Sequence, residues 1–266
     1  MLELLLDFEA INKRPYLMFF WALIVTSAGV VVSTQIAPSV SGIDFGYFAV
    51  LFTIIPSVYL LTVLIMQEEE LEEDEIKRHY GEKAFWGRHE KDLLILLFFF
   101  AGLTMAFAVW SFVVPDGTFG AQSGKILEIV PGARITAQVK GDFTSFMQIF
   151  DNNLQVMIVS FIFSVLFGAG AVFIIVWNAS VLGVYIGDFL ARSIWEIPIR
   201  SLAFIPHGVP EIAGYLVAGL AGGILSAALL RKNSKHVIEI ILVDSLTLLA
   251  VGMVLLFVAA AIEVYL

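Results

Sequence analysis

Residues 93–114 read LLILLFFFAGLTMAFAVWSFVV, twenty-two consecutive positions without a charge. At 1.5 Å per residue, about 20 apolar residues in a helix cross the ~30 Å hydrocarbon layer of a membrane. Several further runs in the 266-residue chain exceed 18 residues, which excludes an ordinary soluble domain. A membrane β-barrel would instead show short alternating segments. The expectation is an all-α polytopic membrane protein, read as a single membrane domain over residues 1–266.

Seven spans are expected, at about 16–36, 45–66, 93–114, 146–167, 171–192, 210–230 and 237–264. Pro56 falls inside the second and is placed to kink it. Gly168-Ala169-Gly170 permits a tight reversal between the fourth and fifth. Residues 1–14 put Leu4, Leu5, Phe8 and Ile11 on one helical face and Glu3, Asp7, Ala10 and Arg14 opposite. That pattern reads as an interfacial helix, and no cleavable signal peptide is evident. Lys13 and Arg14, the basic residues of 77–91, and Arg231, Lys232 and Lys235 fall on one side if the N-terminus is cytoplasmic. The expected location is the cell membrane, multi-pass, with the Gly168 turn on the cytoplasmic side and the C-terminus outside.

Two connections are long. Residues 67–92 begin with an acidic block in which Glu73–Lys77 and Asp74–Arg78 have helical i,i+4 spacing. They are expected to extend span two into water, followed by an amphipathic piece at Ala84, Phe85 and Trp86. In the outer loop, 115–145, the β-prone runs KILEIV and ARITAQV flank Pro131-Gly132, the pattern of a small hairpin.

Polar groups collect in the second half. Asn152 and Asn153 stand near the outer end of span four. Asn178 lies about 12 Å into span five, near the midplane. Asp188 is toward that span's outer end, and His207 and Glu211 are at the start of span six. A carboxylate at the bilayer centre costs about 2.5–3.5 kcal/mol on insertion scales, so such groups should pair or meet water. His207 with Glu211 is the expected pair. Pro210 is expected to open the helix, with Glu211 in its first turn where the positive helix end favours a carboxylate. Residues 195–204 would then form a separate interfacial or re-entrant piece. Gly214, Ala218, Gly219 and Gly222, with Gly223 beside them, give span six a small-residue face for close helix packing, inside the monomer or at a dimer seam.

The chain has no cysteine, which removes disulfides and thiolate chemistry. Neither H-E-x-x-H, G-x-S-x-G nor a Walker sequence is present. No catalytic residue is assigned, and no cofactor is expected. Spacing leaves open whether His207, Glu211 and Asp188 hold a metal or only clamp a helix start. The net charge of −9 gives no support to nucleic-acid binding. The expected partners are the lipid bilayer, a second copy of the chain, and a membrane or envelope protein.

The order Asn152-Asn153, Gly168-Ala169-Gly170, Asn178 with Gly183 and Gly187, then Pro206-His207-Gly208 with Glu211 resembles the stage II sporulation protein M family. The likeness runs over about 145–230 and places the family's polar core at Asn152, Asn153, Asn178, His207 and Glu211. Where the family has Asn-Gly, this chain reads Asn178-Ala179. The resemblance implies a membrane scaffold or envelope-assembly factor, bacterial members being associated with engulfment in sporulation. A channel or transporter lined by the polar groups of spans four to six is the alternative from the residues themselves.

Overall fold

The computed structural model describes residues 8–78, 85–129, 142–192, 197–231 and 234–265 of the chain. Among these, all regular structure is helical: α1 (Phe8–Lys13), α2 (Leu17–Ile36), α3 (Phe45–Arg78), α4 (Phe85–Val113), α5 (Gly120–Ile129), α6 (Phe143–Phe167), α7 (Val172–Arg192), α8 (Ile197–Leu230) and α9 (Lys235–Tyr265). Among the described residues, six helices are long and apolar enough to cross a membrane, and α7 adds a shorter apolar stretch, Val172–Asp188. The chain is a polytopic all-α membrane protein.

Close contacts fix the helix directions. Gly102 of α4 lies against Phe19 and Ala22 of α2, and Trp110 Nε1 donates to Ser27 Oγ at 3.0 Å, so α2 and α4 run parallel. Gly183 and Gly187 of α7 meet Phe107 and Ser111 of α4 in the same order, so α7 also runs with α4. In α8, Tyr215 bonds Asn153, Gly219 lies beside Ser160 and Gly222 beside Ser164, which makes α6 and α8 parallel. Gly214 opposite Gly252 and Ala221 opposite Ser245 set α9 antiparallel to α8. The central element is α8: 78% of its apolar window is buried, against 22% for α6.

The structure corrects two expectations. First, α8 is continuous from Ile197, with Pro206 and Pro210 inside it. The prolines are one turn apart and share a face, so the helix loses two rungs of its hydrogen-bond ladder on that side while the others continue. Prolines are tolerated in membrane helices where neighbouring elements hold the backbone. Glu211 therefore lies well inside the helix and not in a first turn.

Second, Lys125–Ile129 is the end of α5 and not the first arm of a hairpin. The second arm, 133–139, lies outside the described residues. The helix is anchored by Gln122, fully buried, whose Nε2 donates to the Gly46 carbonyl and to Ser180 Oγ, each at 3.2 Å. Phe119 packs edge-on against Phe45 and Phe107. Tertiary contacts therefore override the β-prone run.

The tight reversal expected after α6 is present, and protein encloses it. Residues 168–172 are all buried, and the turn lies against Thr62 of α3 and Gly219 and Gly223 of α8. Gly168 has φ +69°, a conformation other residues rarely adopt. The Ala171 N–H donates to Ser164 Oγ at 2.9 Å, so a side chain supplies the acceptor that water would provide at a membrane surface.

The extension of span two is continuous, α3 running on to Arg78. The side chains of the two expected ion pairs there lie outside the described residues. Phe85 and Trp86 begin α4, and Ala84 lies outside the described residues.

Two outcomes check this packing. A Cβ at Gly222 would meet the Phe161 carbonyl and the Ser164 side chain, so Gly222→Val should lower stability by about 1–3 kcal/mol. Gly124 has open space, so Gly124→Ala should leave it unchanged or slightly raised. Thermal unfolding in detergent reads both.

Candidate functional site

The polar centre is built where α6, α8 and the end of α9 meet. Helix periodicity sets Glu211 and Tyr215 one turn apart on one face of α8. The Tyr215 hydroxyl lies 2.8 Å from Glu211 Oε1 and 2.9 Å from Asn153 Oδ1 on α6. Asn152 Nδ2 donates to Asn153 Oδ1 at 3.3 Å. Asn153 and Tyr215 are both buried, at 5% and 4% exposure, so each polar atom needs its partner.

A phenol has one proton and cannot donate to both neighbours. Tyr215 must donate to one and accept from the other. Either the Asn153 amide turns its nitrogen to the phenol, or Glu211 carries a proton and donates it. Protonation of Glu211 and the amide orientation of Asn153 are therefore coupled through one hydroxyl.

A second carboxylate comes from α9. Glu263 is half-buried and within electrostatic reach of Glu211 and Tyr215. Phe146 of α6 packs against Phe257 at 5.1 Å and Tyr265 at 6.4 Å, which holds the end of α9 beside α6.

The partner seen for Glu211 is Tyr215, one turn after it. The expected partner, His207, is half-buried one turn before it. Asn178 is satisfied on its own helix, its Nδ2 donating to the Ile174 carbonyl at 2.8 Å. Asp188 is half-buried on α7, beside the contact of Gly187 with Ser111. Among the described residues, no three His, Asp or Glu side chains are grouped to hold a metal ion, so the trio His207, Glu211 and Asp188 is not assembled as a metal site. Gly214 faces Leu256 and Gly252 of α9, Gly219 and Gly222 face α6, and Ala218 is fully buried. The small-residue face is therefore used within the monomer.

Sequence reasoning missed Tyr215, Glu263 and a second buried pair. His89, with no exposed surface, places Nε2 3.3 Å from Asp244 Oδ2. This pair joins α4 to α9, and Asp92, also buried, lies one turn further along α4. Asp244 could have been found, since it is the one carboxylate in the apolar run IILVDSLTLLA, and such residues are functional suspects by default. Its partner is 155 positions away and has no local signal.

Removing the phenol hydroxyl leaves Glu211 and Asn153 each short of a partner. Tyr215→Phe should destabilise the protein by about 1–3 kcal/mol. A double-mutant cycle with Asn153→Leu should give a coupling of about 0.5–3 kcal/mol, and additive effects would separate the two residues. His89→Phe should likewise cost about 1–3 kcal/mol, read by thermal unfolding in detergent.

Comparison with known proteins extends the likeness beyond the polar motifs. An uncharacterized protein of Methanocaldococcus jannaschii is 31% identical over 127 residues, covering 46% of this chain and 70% of that relative. No solved structure matches the chain. Residues 94–266 match the family described as stage II sporulation protein M, a region that takes in α4 from residue 94 onward and the whole of α9 with Asp244 and Glu263. The chain belongs to the stage II sporulation protein M family.

Proposed function

We propose that this protein is a membrane scaffold or envelope-assembly factor of its family, embedded in the cell membrane with its N-terminus in the cytoplasm. The observation that carries this reading is the packing of α8. Its glycines Gly214, Gly219 and Gly222 lie against Leu256, Ala171 and Phe161 with Ser164, so those faces of the helix are closed by packing within the chain. The polar groups there serve each other across helices, as interhelical clamps do. The exposed Lys13, Arg14, Lys91 and Lys235 gather at the starts of parallel helices, which supports the cytoplasmic assignment of that end. Partner proteins would meet the outer segment around α5 or the acidic extension of α3.

Passage of an ion or small solute is the second reading. It is favoured by one observation, the convergence of Glu211, Tyr215, Asn153 and Glu263.

Flux in proteoliposomes decides between them. On the scaffold reading, the wild-type chain shows no ion or small-solute flux above protein-free vesicles, and Glu211→Gln lowers thermal stability alone. Flux that is present in wild type and lost in a monodisperse, well-folded Glu211→Gln variant would overturn the scaffold.

A further inference from the structure

Of the six described helices long enough to cross a membrane, α6 is the least covered by its own chain, and it carries a polar outer face. Gln148, Asp151, Asn152 and Gln155 are all exposed and recur at the spacing i, i+3, i+4, i+7, so they form one stripe. The opposite face, with Phe146, Asn153, Met157, Ser160 and Ser164, is buried.

The level of the stripe in the membrane follows from α9. Phe146 and Phe150 of α6 contact Phe257, and Met157 lies by Gly252, so residues 148–155 of α6 sit beside 252–258 of α9. At that level α9 presents Met253, Val254, Phe257 and Val258 outward, with Val254 62% exposed. One helix is thus apolar and lipid-facing at a depth where its neighbour shows three amides and a carboxylate. Amide side chains left in hydrocarbon lose their hydrogen bonds to water and need protein partners.

We propose that this stripe is a docking face for a second copy of the chain, the two α6 helices packing about a two-fold axis along the membrane normal. A two-fold contact requires a patch that complements itself. Asn and Gln side chains meet that requirement, because each amide both donates and accepts. Asp151, which only accepts when ionised, has the amide donors of Gln148, Asn152 and Gln155 beside it to receive from across the axis. Asn152 also bonds Asn153, so the docking face is continuous with the buried group of Tyr215 and Glu211. The inference goes beyond the scaffold reading and holds whether or not the polar centre conducts.

The chain has no cysteine, so single-cysteine variants give a clean test. Gln148→Cys, Gln155→Cys and the lipid-facing control Val254→Cys are oxidised in native membranes, each as the full chain. The expected result is a disulfide-linked species of twice the monomer mass for both stripe variants, formed several-fold more than for Val254→Cys. In mild detergent, the double variant Gln148→Leu/Gln155→Leu should weaken dimerisation roughly tenfold. Stripe cysteines that resist cross-linking but react rapidly with a membrane-impermeant maleimide would mean a water-lined recess and overturn the proposal. Cysteines inert to both reagents would place lipid there, with the same consequence. Cross-linking only to a species of another mass would assign the face to a different protein and also overturn it.

Discussion

Close approach of α8 to α6 and α9 is the contact on which the rest of the molecule depends. In a membrane there is little hydrophobic drive between helices, so association rests on packing and interhelical hydrogen bonds. Gly219 and Gly222 let α8 press against α6 closely enough that a Cβ would collide with Ala171 or the Phe161 carbonyl. That proximity brings the Tyr215 hydroxyl to Asn153, and Ser160 Oγ to the Tyr215 carbonyl at 3.3 Å. It also encloses the turn after α6, whose backbone would otherwise be irregular structure facing lipid. Small residues, the buried turn and the polar centre are consequences of one packing arrangement.

The two buried polar groups connect parts of the chain that local structure would leave independent. Glu211, Tyr215 and Asn153 join α6 to α8, and His89 with Asp244 joins α4 to α9. Both are costly to desolvate and both are placed where their partners arrive from distant sequence. A coupled hydroxyl at Tyr215 adds a chemical property that a purely apolar contact lacks, since its direction of donation depends on whether Glu211 holds a proton.

Much of the architecture was legible in the chain because crossing a membrane demands long apolar runs. Those runs located the membrane helices, apart from the start of α8, which lies at Ile197. The polar positions Asn152, Asn153, His207 and Glu211 were legible for the complementary reason, that ionisable and amide groups are rare where water is absent. The prolines misled, because the rule that a helix begins at Pro210 assumes a helix free to break, whereas α8 continues through both. The run KILEIV misled as well, since its β-prone residues become helical once Gln122 and Phe119 anchor α5 in the bundle.

The sequence by itself determined the class of the protein, where its apolar helices lie and the existence of polar groups on α6 and α8. Hydropathy and helical period are local quantities, and they are written residue by residue. The tertiary structure alone decided which polar groups meet. It gave Glu211 a hydrogen bond to Tyr215, brought Glu263 from the far end of α9, and paired His89 with Asp244. It also left the amide stripe of α6 facing outward. Those outcomes depend on helix direction and rotation, which are set by shape complementarity between helices distant in the chain.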